Sequence, residues 1–427
     1  MRWLVAAAAA LVLVPGAAAY KNPTPGRALV LQIAGMHRAK VVHRAKLDVY
    51  QPRSAGGRLP AVVVGGRKGS GQTVGWAQLI SASGMAAVTS RDVRSAIAYV
   101  RAHARSLGID ASRLCTLSFG SSIVPEAQSW LHCGVAYYDA PTGSPAQAPP
   151  MLVVKAGRAD PAVNESIDRF EAAAVEAHAD VRVVTNASAR AGFDVGPPTA
   201  RARAIVRATL DFLRARLAKP LRLQETCVSA AEKASTLRFF TKEDAQLAGV
   251  VVGGGTRGVV LSHGSGGDLC EWLPEARRLA SQGYRVLSYN TRSSMRVDQE
   301  MAAAVEAMRR SGAQRIAVAG SSLGALASLT GAAALPVQPD AVISLSSPSG
   351  FGRLDGVAAA RKLHVPVLFA AEEEDQPFAD DARTLFAAAT SAQRRLEIFP
   401  GSAHGVGMLQ ETPIRALFET YLAAHLS

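Results

Sequence analysis

Short runs of β-branched and aliphatic residues alternate with amphipathic helical stretches along most of the chain, and the order of that alternation occurs twice. From residue 235 onward, LRFFT and LAGVVVGG predict a strand pair, and RGVVLSHGSGG a buried strand ending in a glycine-rich loop. Helix WLPEARRLASQG, strand YRVLSYN, helix QEMAAAVEAMRRSG and strand RIAVAG follow. The pattern then gives helix LGALASLTGAAAL, strands AVISLSS and VPVLFAA, helix DDARTLFAAAT, strand RLEIF and a last helix from about Thr412. The earlier part repeats the order: LDVYQP, LPAVVVGG, MAAVTS, RLCTLS, GVAYYD, PMLVVKAG and VRVVTN read as strands. Between them WAQLISASG, DVRSAIAYVRAHARSLG, SIDRFEAAAVEAHA and about residues 199 to 217 read as helices. Apolar strands alternating with helices predict mostly parallel, twisted sheets covered on both faces. The expected organisation is a tandem pair in an α/β class, with domains at 20–217 and 227–427 and a linker at 218–226.

Residues 1–19 stand outside this pattern. Arg2, an apolar run from Trp3 to Val14, a Pro-Gly break and Ala17-Ala18-Ala19 have the three regions of a cleavable secretory signal. The expected product begins at Tyr20 and lies in the periplasm or outside the cell, with no later run long enough to span a bilayer. At 427 residues and 48% hydrophobic content the chain can fill two cores. Four cysteines in an exported chain can pair, one pair per half: Cys115 with Cys133 and Cys227 with Cys270. Without a Cys-x-x-Cys or His-rich cluster, no metal or other cofactor is expected. The net charge of +13 is uneven. Residues 20–220 hold 26 Lys and Arg against 13 Asp and Glu, and residues 221–427 hold 20 against 21. The whole excess lies in the first half, which makes an anionic surface or polymer a candidate partner there. No nucleic-acid motif accompanies it.

The chemistry is expected in the second half. Gly320-Ser321-Ser322-Leu323-Gly324 matches Gly-x-Ser-x-Gly between a predicted strand and a predicted helix, a turn that exposes the hydroxyl of Ser322 over a helix N-terminus. The Leu323 amide is one candidate oxyanion donor. The loop His263-Gly264-Ser265-Gly266-Gly267 offers the other, from Gly264 or Ser265, with His263 structural. A serine needs a base, and the base an acid that fixes its tautomer. His404 follows strand RLEIF and Asp375 ends VPVLFAAEEED, which gives the chain order Ser322, Asp375, His404; Glu373 and Glu374 are alternative acids.

These residues resemble the α/β-hydrolase superfamily, specifically its dienelactone-hydrolase-like members without a cap domain, over nearly all of residues 235 to 427. The resemblance implies two tandem α/β-hydrolase domains and a serine hydrolase acting on a small carboxylic ester through an acyl-enzyme. The chain departs from the family in having Ser322 in place of the namesake's cysteine, and YNTRSSM where relatives often show Asp-x-Arg-Gly-x-Gly. Aligned by its strands, the first half puts Gly120 at the nucleophile, Gly65 at the loop histidine, Asp160 at the acid, where it is read as a loop-capping carboxylate, and Ala191 at the base, so it is expected to be non-catalytic. A slipped nucleophile at Ser121 or Ser122 would still lack a base. Two other readings remain: a serine peptidase acting on short peptides, and a non-catalytic scaffold that works through the basic half.

Overall fold

The computed structural model describes residues 39–44, 47–53, 56–67, 69–120 and 131–427. The expected signal 1–19, Tyr20, Ser121 and Ser122 lie outside the described residues.

Two eight-stranded sheets form, one from each half. The first contains β1 (Lys40–His43), β2 (Asp48–Gln51), β3 (Leu59–Gly65), β4 (Ala86–Ser90), β5 (Ile109–Phe119), β6 (Leu131–Tyr137), β7 (Met151–Ala156) and β8 (Val181–Asn186). The second contains β9 (Thr236–Phe240), β10 (Gln246–Val252), β11 (Arg257–Ser262), β12 (Arg285–Tyr289), β13 (Arg315–Ser321) and β14 (Ala341–Leu345). A small hairpin, β15 (Gly350–Phe351) with β16 (Leu354–Asp355), separates these from β17 (Val367–Glu372) and β18 (Arg394–Phe399). The spatial orders are β1-β2-β4-β3-β5-β6-β7-β8 and β9-β10-β12-β11-β13-β14-β17-β18, the same order in both sheets. In each, the first two strands are antiparallel and the other six run parallel.

Strand periodicity explains why the parallel strands read as unbroken apolar runs. In the second sheet Val260 and Val318 face one helical layer, with Met301 and Leu326, while Val259 and Leu261 face the other, with Trp272 and Phe418. Each fully buried aliphatic side chain contributes about 1.5–3 kcal/mol. The segment expected as a linker packs onto this second unit: Leu223 is buried among Trp272 and Phe418, and the Leu221 amide donates to Gln246 Oε1 at 3.2 Å. Both expected disulfides are present. Cys115–Cys133 joins neighbouring strands, and Cys227–Cys270 ties the start of the second unit to the loop after β11.

The likeness between the halves extends to single hydrogen bonds. Gly120 (φ +63°) donates its N–H to Tyr137 O at 3.0 Å, and Ser322 (φ +54°) donates to Leu345 O at 2.9 Å. Tyr138 and Ser346, which follow those acceptors, both have positive φ. The same register corrects one expectation. Ala159 N–H donates to Ala156 O as Asp375 N–H does to Glu372 O, and a proline follows two residues later in each half, at 161 and 377. Ala159, not Asp160, therefore occupies the position of Asp375; Asp160 instead caps the helix Pro161–Glu176 by accepting from Ala162 N–H at 2.9 Å.

Polar contacts joining the halves run from β8 and the ends of its neighbouring helices to the turn between β9 and β10 and to helix Val297–Arg310. Arg182 bonds Lys242 O at 2.5 Å and Asp244 at 3.0 Å, Arg216 lies 3.6 Å from Asp244, and His178 lies 3.5 Å from Glu306. None of these bridges involves the loops that carry Ser322, Asp375 and His404. Among the described residues, no helix is long and apolar enough to cross a membrane.

Candidate active site

The strand β13 turns into helix Leu323–Ala334 so sharply that side chains are excluded on both sides of the turn. A Cβ on Gly320 would lie 2.0 Å from Gly324 O, and one on Gly324 would lie 2.1 Å from Ser262 O. Ser322 between them has φ +54° and ψ −120°, a conformation that costs on the order of 1–3 kcal/mol and persists only where its surroundings enforce it. Its hydroxyl does not cap the helix it precedes. The N–H of Leu323, in the first helical position, has no intrahelical acceptor and lies at the positive end of the helix dipole.

Asp375 and His404 are brought together from two adjacent loops. His404 Nδ1 lies 3.0 and 2.9 Å from the two carboxylate oxygens of Asp375, which is 8% exposed. The other acids are elsewhere: Glu373 pairs with Arg383 at 2.6 Å on the surface, and Glu374 is exposed. The loops are zipped by backbone bonds from Glu373 N–H to Phe399 O and from Glu374 N–H to Gly401 O. They are further held by Glu372, whose buried carboxylate accepts from Ala403 N–H at 2.5 Å. Two serines fasten the far side of the histidine loop: Gly405 N–H donates to Ser346 Oγ at 2.9 Å, and Val406 N–H to Ser321 Oγ at 3.2 Å. Phe378 packs against the His404 ring, with centroids 4.4 Å apart.

The glycine-rich loop after β11 distinguishes its two candidate donors. The Gly264 N–H is engaged by Glu271 Oε2 at 3.0 Å, whereas Ser265 is exposed and its amide has no acceptor among the described residues. His263 is buried. Its Nε2 accepts from Thr291 N–H at 3.1 Å, so the ring proton sits on Nδ1 and is donated to Gly264 O at 2.8 Å. It ties the glycine loop to the loop after β12. That second loop is also held by Glu300, whose carboxylate accepts from Arg292 N–H at 3.0 and 3.2 Å. Burial, reinforced by the charge of Asp298, pushes the Glu300 carboxyl up to about 7.

The sequence reading missed Glu271, Glu300 and Glu372, because acids beside loops read as solvated. The only signal was the placement of Glu372 at the end of an apolar strand. In the first half, the loop containing Ala191 is organised instead around Asp194, which is fully buried. Asp194 accepts from Tyr138 Oη at 2.6 Å, Trp76 Nε1 at 2.9 Å and Gln72 Nε2 at 2.9 Å. Among the described residues, no group of three or more His, Cys, Asp or Glu side chains could hold a metal ion.

A mostly parallel sheet flanked by helices, with a serine on the tight turn after a central strand, places the fold in the α/β-hydrolase class. The Esterase family, described as "Putative esterase", matches residues 267–421, within the half that carries this turn. Among solved structures, the chain is similar to the esterase Pf2001 of Pyrococcus furiosus, with 14% identity over 49% of this chain and 100% of that one, TM-score 0.42. It is also similar to a dienelactone hydrolase of Anabaena variabilis, with 18% identity over 45% and 100%, TM-score 0.36. A monoacylglycerol lipase of Paleococcus ferrophilus matches with 16% identity over 42% and 100%, TM-score 0.37. No curated protein matches the chain.

Proposed function

We propose that the protein is an exported serine hydrolase that cleaves a small carboxylic ester in its second half. The observation that carries this reading is the His404–Asp375 pair, bonded at 2.9 Å, on a loop that Val406 N–H ties to Ser321 Oγ, the residue before Ser322, which is held at positive φ. Ser322 Oγ attacks the ester carbonyl while His404 Nε2 takes its proton; the imidazolium, oriented by Asp375, then protonates the departing alkoxide. Water, deprotonated by the same nitrogen, releases the acid from the acyl-enzyme. The tetrahedral oxyanion is held by the amides of Leu323 and Ser265, since the Gly264 amide is already bonded to Glu271. The esterase family match favours an ester over an amide. Two disulfides favour export to an oxidising compartment. The first half is read as a degenerate, non-catalytic copy, supported by the shared strand order and by glycine or alanine at 120, 159 and 191. A fluorophosphonate probe is expected to label the protein, and Ser322→Ala to abolish labelling and p-nitrophenyl ester turnover. Labelling that persists in the variant would reject the assignment.

A further inference from the structure

The Ser265 N–H, which holds the oxyanion in the proposed reaction, shares one planar peptide unit with Gly264 O, so whatever fixes that carbonyl aims the N–H the opposite way. Two donors fix it. His263 Nδ1 lies 2.8 Å away, and Gly267 N–H at 3.2 Å closes the tight turn Gly264–Gly267, with Gly266 at φ +75°. The preceding peptide unit, which joins His263 to Gly264, is held by a side chain further along the chain: Gly264 N–H donates to Glu271 Oε2 at 3.0 Å. The fit around that oxygen is close. A Cβ on Gly267 would lie 2.6 Å from Glu271 Oε2, and one on Gly264 would lie 3.6 Å from it and 3.4 Å from Ser322 Cβ. The glycine loop is thus packed between Glu271 on one side and the turn at Ser322 on the other.

The backbone around Glu271 is anchored before and after it. Leu269 N–H donates to Asn290 Oδ1 at 2.9 Å, Cys270 is bonded to Cys227, and Trp272 Nε1 donates to Ser262 O at 2.9 Å. As a purely stabilising group, however, Glu271 is poorly used. Its Oε1 is buried and has no partner among the described residues, and such atoms are rare in folded proteins because they forfeit hydration without replacing it. From these contacts we infer that Glu271 is a positioning residue for ester cleavage: its Oε2 anchors the Gly264 amide and thereby sets the aim of the Ser265 N–H at the developing oxyanion. This inference rests on the reading of Ser322 as the nucleophile. Glu271 acts here as a hydrogen-bond acceptor and exchanges no proton with the substrate.

Steady-state kinetics of the full chain with p-nitrophenyl acetate test this. Glu271→Ala should lower kcat by about 10- to 100-fold with KM within about twofold, because a misaimed donor weakens the oxyanion more than it weakens the bound ester. Glu271→Gln keeps an acceptor oxygen for Gly264 N–H and should return turnover to within about threefold of the parent. Gly267→Ala tests the same contact without removing a side chain: its methyl group intrudes on Oε2 and should lower kcat by about tenfold or more. In Gly267→Ala/Glu271→Ala the loss should be smaller than the product of the two single losses. A trifluoromethyl ketone supplies a further readout, since Ser322 Oγ adds to its carbonyl carbon, the carbonyl oxygen becomes an oxyanion and His404 takes the serine proton. Its affinity should fall in Glu271→Ala by the same factor as kcat/KM. Turnover within about threefold of the parent in Glu271→Ala or in Gly267→Ala, or a loss in Glu271→Gln as large as in Glu271→Ala, overturns the proposal. A parent protein that no fluorophosphonate labels, or a Ser322→Ala variant that still cleaves the ester, defeats the serine-hydrolase reading itself and this proposal with it.

Discussion

The histidine loop is held so closely against the end of β13 that a single methyl group should dislodge it. Gly405, next to His404, has φ +57°, and a Cβ there would lie 2.0 Å from Ser321 Oγ and 3.0 Å from Ser321 Cβ. Side-chain carbons do not come within 3.0 Å of such neighbours, so in Gly405→Ala the loop or the hydroxyl must move by at least about 1 Å. The left-handed backbone costs alanine about 1–2 kcal/mol. Turning Ser321 Oγ away forfeits its bond from Val406 N–H, about 1 kcal/mol more. The loop is thus destabilised by about 2–3 kcal/mol, and His404 shifts relative to Ser322 by a distance that typically lowers turnover about 10²-fold. Two controls separate the contributions. Gly407 has open space around its Cβ position and no left-handed φ, so Gly407→Ala should be nearly silent. Gly266 has φ +75° but nothing within 4 Å, so Gly266→Ala isolates backbone strain on the opposite loop. In the double variant Gly405→Ala/Ser321→Ala the 2.0 Å contact is gone, and the loss should be smaller than the product of the two single losses. The assay is kcat and KM for p-nitrophenyl acetate, with the loss expected in kcat. A Gly405→Ala enzyme within about threefold of Gly407→Ala would refute the reasoning, because the loop would then tolerate a shift the contacts forbid.

Asp375→Asn should lower kcat by about 10⁴, the loss produced by the equivalent change in Ser-His-Asp enzymes, whereas Glu373→Gln and Glu374→Gln should leave it unchanged; steady-state kinetics on all three identifies the acid. Glu300 binds a proton in the folded protein between its ordinary 4.5 and about 7 that the unfolded chain releases. Its contribution is therefore complete below about pH 4.5 and is lost as pH rises through 7, by on the order of 3 kcal/mol. Glu300→Gln should flatten that fall in thermal melts between pH 5 and 8; an unchanged slope would count against it. Asp194→Ala leaves the donors of Tyr138, Trp76 and Gln72 without their acceptor and should destabilise the first half by about 3 kcal/mol or more in denaturant unfolding. Phosphonate labelling of the second half should be unaffected, because Asp194 lies outside the Ser322, Asp375 and His404 loops; a matching loss of labelling would refute this.

The sequence made the parallel core legible because a strand buried on both faces is mostly apolar, and β11, β13, β14 and β17 each carry an apolar run of three or more residues. It marked Ser322, Asp375 and His404 as candidates because each follows or ends such a strand. What escaped were features set by contacts distant in the chain. β1 has only Val41 and Val42 between lysine and histidine, too short a pattern to read, and forms by pairing with β2. The hairpin β15–β16 has two residues per strand and is fixed by tertiary contacts such as Gly356 N–H to Ser349 O. The one-residue error at Asp160 arose because an aspartate before a proline suits both a catalytic loop and a helix cap, and only backbone register separates them.

The same register explains how one framework could hold the proposed chemistry in one half and not in the other. The turn at Gly120 and the turn at Ser322 are fixed by equivalent bonds, to Tyr137 O and Leu345 O, which do not depend on the side chain at the turn. A residue without a hydroxyl at this turn therefore does not threaten the fold, and a glycine at positive φ even avoids the strain that serine carries. The acid and base positions differ in kind. In the second half, the loops around Asp375 and His404 are drawn together by Glu372, Ser321 and Ser346, so polar groups that support the site also hold the structure. With Ala159 and Ala191 in those places, the first half needs another tether, and the buried carboxylate of Asp194 provides it by gathering Tyr138, Trp76 and Gln72 around the loop. A histidine reinstated at 191 alone would meet no acid at 159 and no serine at 120. On the proposed reading, activity there would require three simultaneous changes, which would make a division between a structural half and a chemical half stable against single substitutions.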